Sequence, residues 1–140
     1  MPSSKTRLAV LDTSVYIEDF RSGRFADQIV RSLLVPRCSA VVLHELMRGA
    51  RTRLEVRFVK DLARKCRVVA PTAGEWLRAG EVLKAIRRDE GCDAGRIREL
   101  AFDTLIALTA RGIGATVVTC DAADFALIRR YVPFDVAYWA

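Results

Sequence analysis

Four of the 17 acidic residues in this 140-residue chain fall in apolar surroundings, and those four could do chemistry together. Asp12 closes the run RLAVLD, and Asp121 follows TVVTC. Glu45 interrupts SAVVLHELMRGA, and Asp103 interrupts RELAFDTLIALTA. On a helix, Leu100, Ile106 and Ala107 share the face of Asp103, so that acid lies on an apolar stripe. A lone buried carboxylate is costly and needs a cation. Arginine could serve each acid separately, as scattered buried ion pairs. Four acids converging on one crevice form instead a set of hard oxygen ligands suited to Mg²⁺ or Mn²⁺, ions that keep several waters and bridge carboxylates to phosphate. Such an ion lowers the pKa of an attacking water and neutralises charge that builds up on a phosphate. The chemistry implied is metal-assisted hydrolysis of a phosphodiester.

The elements that must position these acids alternate between strands and helices. Apolar runs predict strands over residues 8–11, 35–38, 67–69 and 116–119, with a last short one over 135–138, and Pro36 limits the pairing of the second. Helical spacing predicts helices over 15–20 and 25–34, divided by the turn residues Ser22 and Gly23. Ser39 caps a helix over 40–49, and a strongly amphipathic one follows over 53–65. Thr72 and Glu75 form a capping box that starts a helix running to about residue 88. DEGCDAG, residues 89–95, reads as the one clear loop; helices over 97–111, ending at Gly112, and over 123–130 complete the chain. Strands alternating with helices imply an α/β domain with a parallel four- to five-stranded sheet flanked by helices on both faces. Asp12 and Asp121 then emerge at the carboxyl edge of the sheet, where such folds place their sites. One domain is expected over 1–140, with its core over about 8–139.

Composition narrows the partners. The 23 basic residues give a net charge of +6, and only Lys5, Lys60, Lys65 and Lys84 are lysines. An arginine-rich cationic surface favours an anionic partner such as nucleic acid, although a high-GC coding bias would enrich arginine equally. Cys38, Cys66, Cys92 and Cys120 are far apart and form no C-x-x-C pair, which excludes a zinc ribbon and argues against a disulfide framework; all four read as core or near-core residues. MPSSKTRLAVLD contains no apolar run of signal-peptide length, and nothing downstream is long enough to span a bilayer, so the expected location is the cytoplasm. His44, the sole histidine, can build neither an H-E-x-x-H zinc site nor a supported Ser-His triad, and reads as a core or groove-edge residue. Trp76 and Trp139 read as buried anchors.

The segments LDTSV, SAVVLHELMRGA, DTLIALTA and TCDAADF resemble, in order and spacing, the motifs of PIN-domain nucleases, and most closely those of the VapC-type toxins of toxin–antitoxin pairs. The resemblance runs from Leu8 to about Trp139. It implies a single PIN domain, Mg²⁺- or Mn²⁺-dependent cleavage of RNA, a homodimer, and a VapB-type antitoxin as partner. By motif, the catalytic and metal-holding acids are Asp12, Glu45, Asp103 and Asp121, with Asp124 as a further metal-site acid. Thr13, Ser14 and Thr119 stand where the family keeps polar side chains that orient those carboxylates, while helix capping is an equal reading for Thr13 and Ser14.

Arg53, Arg57, Lys60 and Arg64 recur at helical spacing and make one cationic stripe that, with Arg48, is the candidate RNA-binding surface. Arg87, Arg88, Arg96 and Arg98 form a second cluster around the DEGCDAG loop. Either cluster could also be an ordinary solvated face. A two-component receiver domain also gathers aspartates at a sheet edge, but it needs an acid pair at the first strand and a lysine near the last. A haloacid-dehalogenase-type phosphatase needs an aspartate where Ser14 stands. Two readings remain beside the toxin: a PIN nuclease of RNA processing without an antitoxin, and a PIN-like module that binds RNA or protein without cutting.

Overall fold

Ala9, Val10 and Leu11 point alternately to opposite faces of one strand, yet all three are buried, so that strand is covered on both sides. It is the middle strand of the sheet in a computed structural model that describes residues 7–140. The six residues before them, part of the segment expected to hold no leader, lie outside the described residues. The chain runs β1 (Arg7–Leu11), α1 (Thr13–Ser22), α2 (Ala26–Arg31), β2 (Leu34–Ser39), α3 (Ala40–Gly49), α4 (Arg53–Lys65) and β3 (Val68–Val69). It continues with α5 (Ala73–Glu90), α6 (Ala94–Gly112), β4 (Thr116–Thr119), α7 (Ala122–Arg129) and β5 (Val136–Tyr138).

All five strands are parallel, in the order β3-β2-β1-β4-β5. The chain moves outward from β1 to β3, then returns to the other side of β1 for β4 and β5. The strand order therefore reverses between β1 and β4, and their carboxyl ends flank a crevice at the switch point. Pro36 is tolerated inside β2 because its carbonyl faces away from β1, towards the Cys66 thiol 3.6 Å away, where the two-residue β3 pairs only with Cys38 and Ser39. Its missing N–H thus faces a side with no ladder to break.

The core centres on α6. Every residue from Thr104 to Ala110 is buried, so this helix is enclosed on all sides rather than along one stripe. Thr104 and Thr109 donate their hydroxyls to the carbonyls of Leu100 and Leu105, at 2.8 and 2.7 Å, which satisfies two polar groups that could not otherwise be buried. Among the described residues no helix is long and apolar enough to cross a membrane.

Several expected boundaries shift for identifiable reasons. The helix expected over 25–34 stops at Arg31, because Leu34 joins β2 and the Leu33 carbonyl accepts the Arg7 N–H at 3.0 Å. The loop expected over 89–95 contracts: α5 continues through Glu90 until Gly91, at φ 65°, ends it, and Asp93 caps α6 by accepting the Arg96 N–H at 2.8 Å. Cys38 is buried, but Cys120 is exposed and not a core residue; its position is set by the turn from β4 to α7. Trp76 is 54% exposed in the first turn of α5 and anchors nothing, whereas Trp139 packs against Phe25 with ring centroids 5.5 Å apart.

The expected cap at Ser39 is present. Its side chain, wholly buried, accepts the Val41 N–H at 3.1 Å at the start of α3, the helix that carries Glu45. Ser39→Ala should cost about 1 kcal/mol, with roughly 2 as the upper bound for such a cap. The check is urea unfolding, in which the midpoint falls while the m-value stays constant.

Candidate metal centre

The site is built where β1 and β4 end. Asp12 follows β1 directly, and its backbone N–H donates to the Val118 carbonyl at 2.8 Å, tying it to β4. It occupies the N-cap of α1, but its side chain makes no capping bond there. Oδ2 instead accepts two hydroxyls, from Ser14 at 2.8 Å and from Thr119 at 2.9 Å. Each hydroxyl is in turn oriented by a backbone N–H, that of Cys120 on Ser14 at 3.0 Å and that of Asp121 on Thr119 at 2.9 Å. Both hydroxyl protons are therefore spent on one oxygen of Asp12, which is only 4% exposed.

Thr13 reaches the other way and donates to Oε1 of Glu45 at 2.9 Å, linking α1 to α3. Helix capping is thus not the role of Thr13 or Ser14: both sit inside the first turn of α1, and each side chain holds a different acid. Asp103 projects from the middle of α6, and Asp121 caps α7 by accepting the Asp124 N–H at 3.3 Å.

These acids come from four elements and meet in two overlapping groups. Asp12, Glu45 and Asp103 offer oxygens within 4.8 Å of one another, and so do Asp103, Asp121 and Asp124. Among the described residues no lysine or arginine pairs with Asp12, Glu45, Asp103 or Asp121. Scattered buried ion pairs are therefore not what holds them. Asp124 differs, since Arg96 spans both its oxygens at 2.5 and 3.4 Å.

The electrostatics follow. Burial pushes the Asp103 carboxyl from 3.8 up to about 8, and the charges of Asp12, Glu45, Asp121 and Asp124 push the same way. Glu45 is also raised, by burial first; the Thr13 hydroxyl and Arg48 oppose the shift, and Asp12 adds to it. Asp121 is raised by burial and by the Asp124 charge, against the Asp124 N–H, which favours the charged form.

Two grooves flank α4. One, of about 530 Å³, runs between α1, α3 and α4 and is lined by Tyr16, Ile17, Phe20, Arg21, Arg51 and Phe58, with Glu45 in its wall. The other is a shallower hollow of about 740 Å³ on the far side of α4, lined by Arg53, Arg57, Lys60 and Arg64. The expected stripe therefore exists and is exposed, but it faces away from the carboxylates. Arg48 lies closer, stacked over the Phe102 ring at 5.3 Å, and His44 packs against the same ring; His44 is exposed, not a core residue, and lines neither groove. The sequence pointed to neither the Arg96–Asp124 pair nor the contribution of Arg21 and Arg51. Arg96 stood out only as one of four arginines around a loop; the one local cue was Asp93 three residues earlier, whose cap starts α6 and places Arg96 in its first turn.

The PIN domain family profile matches residues 9–131, and the chain belongs to that family. None of the curated proteins matches it. Among solved structures, VapBC-1 from nontypeable Haemophilus influenzae is similar over 94% of this chain and 98% of its own, with a TM-score of 0.70 at 20% identity. VapBC2 from Rickettsia felis, solved bound to a DNA fragment from its promoter, has a TM-score of 0.68 at 19% identity, covering 95% of this chain and 99% of its own. VapBC-5 from Mycobacterium tuberculosis, of the VapBC family of toxin–antitoxin systems, has a TM-score of 0.63 at 21% identity, again covering 95% and 99%. At these identities the likeness is one of fold.

A carboxyl raised on folding ties stability to pH. Asp103 keeps its proton to about 8 when folded and releases it near 3.8 when unfolded, so the metal-free fold is most stable below that range and weakens as pH rises through it. Asp103→Asn removes the charge and should flatten this decline, so that in chelator at neutral pH the variant melts several degrees above the parent, at roughly 4 °C per kcal/mol. Saturating Mn²⁺, worth about 2.7 kcal/mol at 100 times its Kd, should lift the parent and leave the variant behind. Thermal melts across pH, with and without the ion, are the check. A variant less stable than the parent in chelator would show that Asp103 has a cationic partner after all.

Proposed function

We propose that this PIN-domain protein is an endoribonuclease dependent on Mg²⁺ or Mn²⁺, and the toxin of a toxin–antitoxin pair. The observation that carries the reading is the meeting of Asp12, Glu45 and Asp103, with no lysine or arginine among the described residues paired to any of them, at the switch point between β1 and β4. The donor set fits such an ion: every candidate ligand is a carboxylate oxygen, and none is a thiolate or an imidazole. Asp12, Glu45 and Asp103 would hold it, with Asp121 alongside. When bound, the ion supplies positive charge to a phosphate under attack and acidifies the water that attacks it.

The chain's own residues divide the remaining work. Ser14 and Thr119 fix Asp12 through Oδ2 and leave Oδ1 for the ion. Thr13 fixes Glu45 through Oε1 and leaves Oε2 to face the ion. The α4 stripe gathers RNA by its phosphates, and Arg48 stands between that surface and the acids.

The toxin reading draws on the similarity to VapBC-5 from Mycobacterium tuberculosis, a member of the VapBC family of toxin–antitoxin systems. A VapB-type antitoxin would inhibit this chain by laying a segment along the apolar groove of α1, α3 and α4 and offering a basic or polar side chain to the carboxylates. A homodimer is the assembly proposed for the toxin itself.

Asp12→Asn, Glu45→Gln or Asp103→Asn should reduce RNA cleavage to background, and chelator should do the same to the unmodified protein. Ser14→Ala or Thr119→Val should cost roughly 10- to 100-fold, as loss of a group that orients a ligand. Full activity in EDTA would sink the metal mechanism. In cells, expression should arrest growth, the small neighbouring gene should restore it, and Asp12→Asn should be harmless; an equally toxic Asp12→Asn would place the toxicity elsewhere.

RNA affinity has its own test. Replacing Arg53 and Arg57 with Ala should weaken binding and flatten its salt dependence by roughly 0.7 in slope for each phosphate no longer bound. An unchanged slope would return the stripe to an ordinary solvated surface.

A further inference from the structure

We infer that Arg96 takes the place of a second metal ion, so that this chain binds one divalent cation where its five carboxylates would otherwise accommodate two. The inference rests on the metal-nuclease reading above and concerns how the site is filled. The acids form two triads that share Asp103. An ion held by Asp12, Glu45 and Asp103 uses the shared carboxylate, leaving the second triad with Asp121 and Asp124. Asp124 is already matched: the Nη2 and Nη1 atoms of Arg96 face its Oδ1 and Oδ2, and its side chain is only 17% exposed.

The guanidinium is held there from both ends. Asp93 accepts the Arg96 backbone N–H at 2.8 Å, which fixes the first turn of α6, and Glu99 takes Nη1 at 3.3 Å from the solvent side. Two carboxylates, a cap and the helix therefore aim one fixed positive charge at the second triad. A further divalent ion there would find a single uncompensated acid, Asp121, and would lie beside that positive charge. Arg96 is a positioning residue: it sets the charge and the ion count of the site through Asp124, without touching the first triad.

The test is calorimetric titration of Mn²⁺ into purified full-length protein, with the bound ion counted independently by electron paramagnetic resonance. The unmodified chain should bind one ion. Asp12→Asn should lose it, and Asp124→Asn should still bind one ion. Arg96→Gln should gain a second, weaker ion, Arg96→Lys should restore a count of one, and combining Arg96→Gln with Asp124→Asn should remove the second ion again. Two ions in the unmodified chain would overturn the inference without needing any variant to fold. One ion in an Arg96→Gln protein whose circular dichroism and melting curve match the parent would also overturn it, while leaving the metal-nuclease reading intact. No ion in the unmodified chain would remove that reading and this inference together.

Discussion

The constraint on which the rest of this structure depends is the crowding of like charge around Asp103. This carboxylate stands between Asp12 and Glu45 on one side and Asp121 and Asp124 on the other. It cannot retreat, because α6 is enclosed from Thr104 onwards, and turning Asp103 outward would rotate that buried run as well. An isolated ionised carboxylate in such a place would cost several kcal/mol. The chain meets that cost by letting Asp103 keep its proton to well above the usual carboxylate range.

The hydroxyls around the acids make sense in that light. Ser14, Thr119 and Thr13 stabilise carboxylates without adding charge, so they orient Asp12 and Glu45 while leaving the deficit of positive charge in place. Arginines in the same positions would fill the deficit and close the site to an ion. The one arginine that does reach in, Arg96, binds Asp124, in the triad that does not include Asp12. Neutral donors thus hold one end of the crevice and a fixed cation holds the other, and the open charge is concentrated where β1, α3 and α6 meet.

Much of this was legible in the sequence, and the reasons are local. Asp12 and Asp121 follow apolar strands, and Glu45 and Asp103 break apolar helical faces; each anomaly can be seen within a dozen residues. The capping box at Thr72 and Glu75 and the cap at Ser39 are likewise short-range patterns, and both occur as read. What could not be read depends on long-range placement. Leu33 and Leu34 look helical until β1 supplies a strand for them to join. Trp76 looks like a core residue until α5 turns it to solvent. The stripe from Arg53 to Arg64 was visible as a stripe, but a periodicity gives no direction, and only the packing of α4 turns it away from the acids. Arg96 and Asp124 are separated by 28 positions, and no local pattern links them.

Because the acids come from four separate elements, the site exists only when the fold is complete, and its repulsion acts against the folded state alone. A domain of this kind has about 5–15 kcal/mol of stability in total, so a destabilising site is tolerated only if the core outweighs it. The core here is suited to that: among the described residues no buried side-chain nitrogen or oxygen lacks a hydrogen-bond partner, and Ala9–Leu11 of β1 and Thr104–Ala110 of α6 are buried without a break. On the metal-nuclease reading the same repulsion would be the source of cation affinity. Free energy that folding loses by forcing the carboxylates together would be returned when a cation enters, since the ion would relieve in the folded chain a strain that the unfolded chain never had. Stability and ion binding would then be linked quantities in this fold. A substitution that relaxes the crowding would make the protein without an ion sturdier while weakening its hold on one.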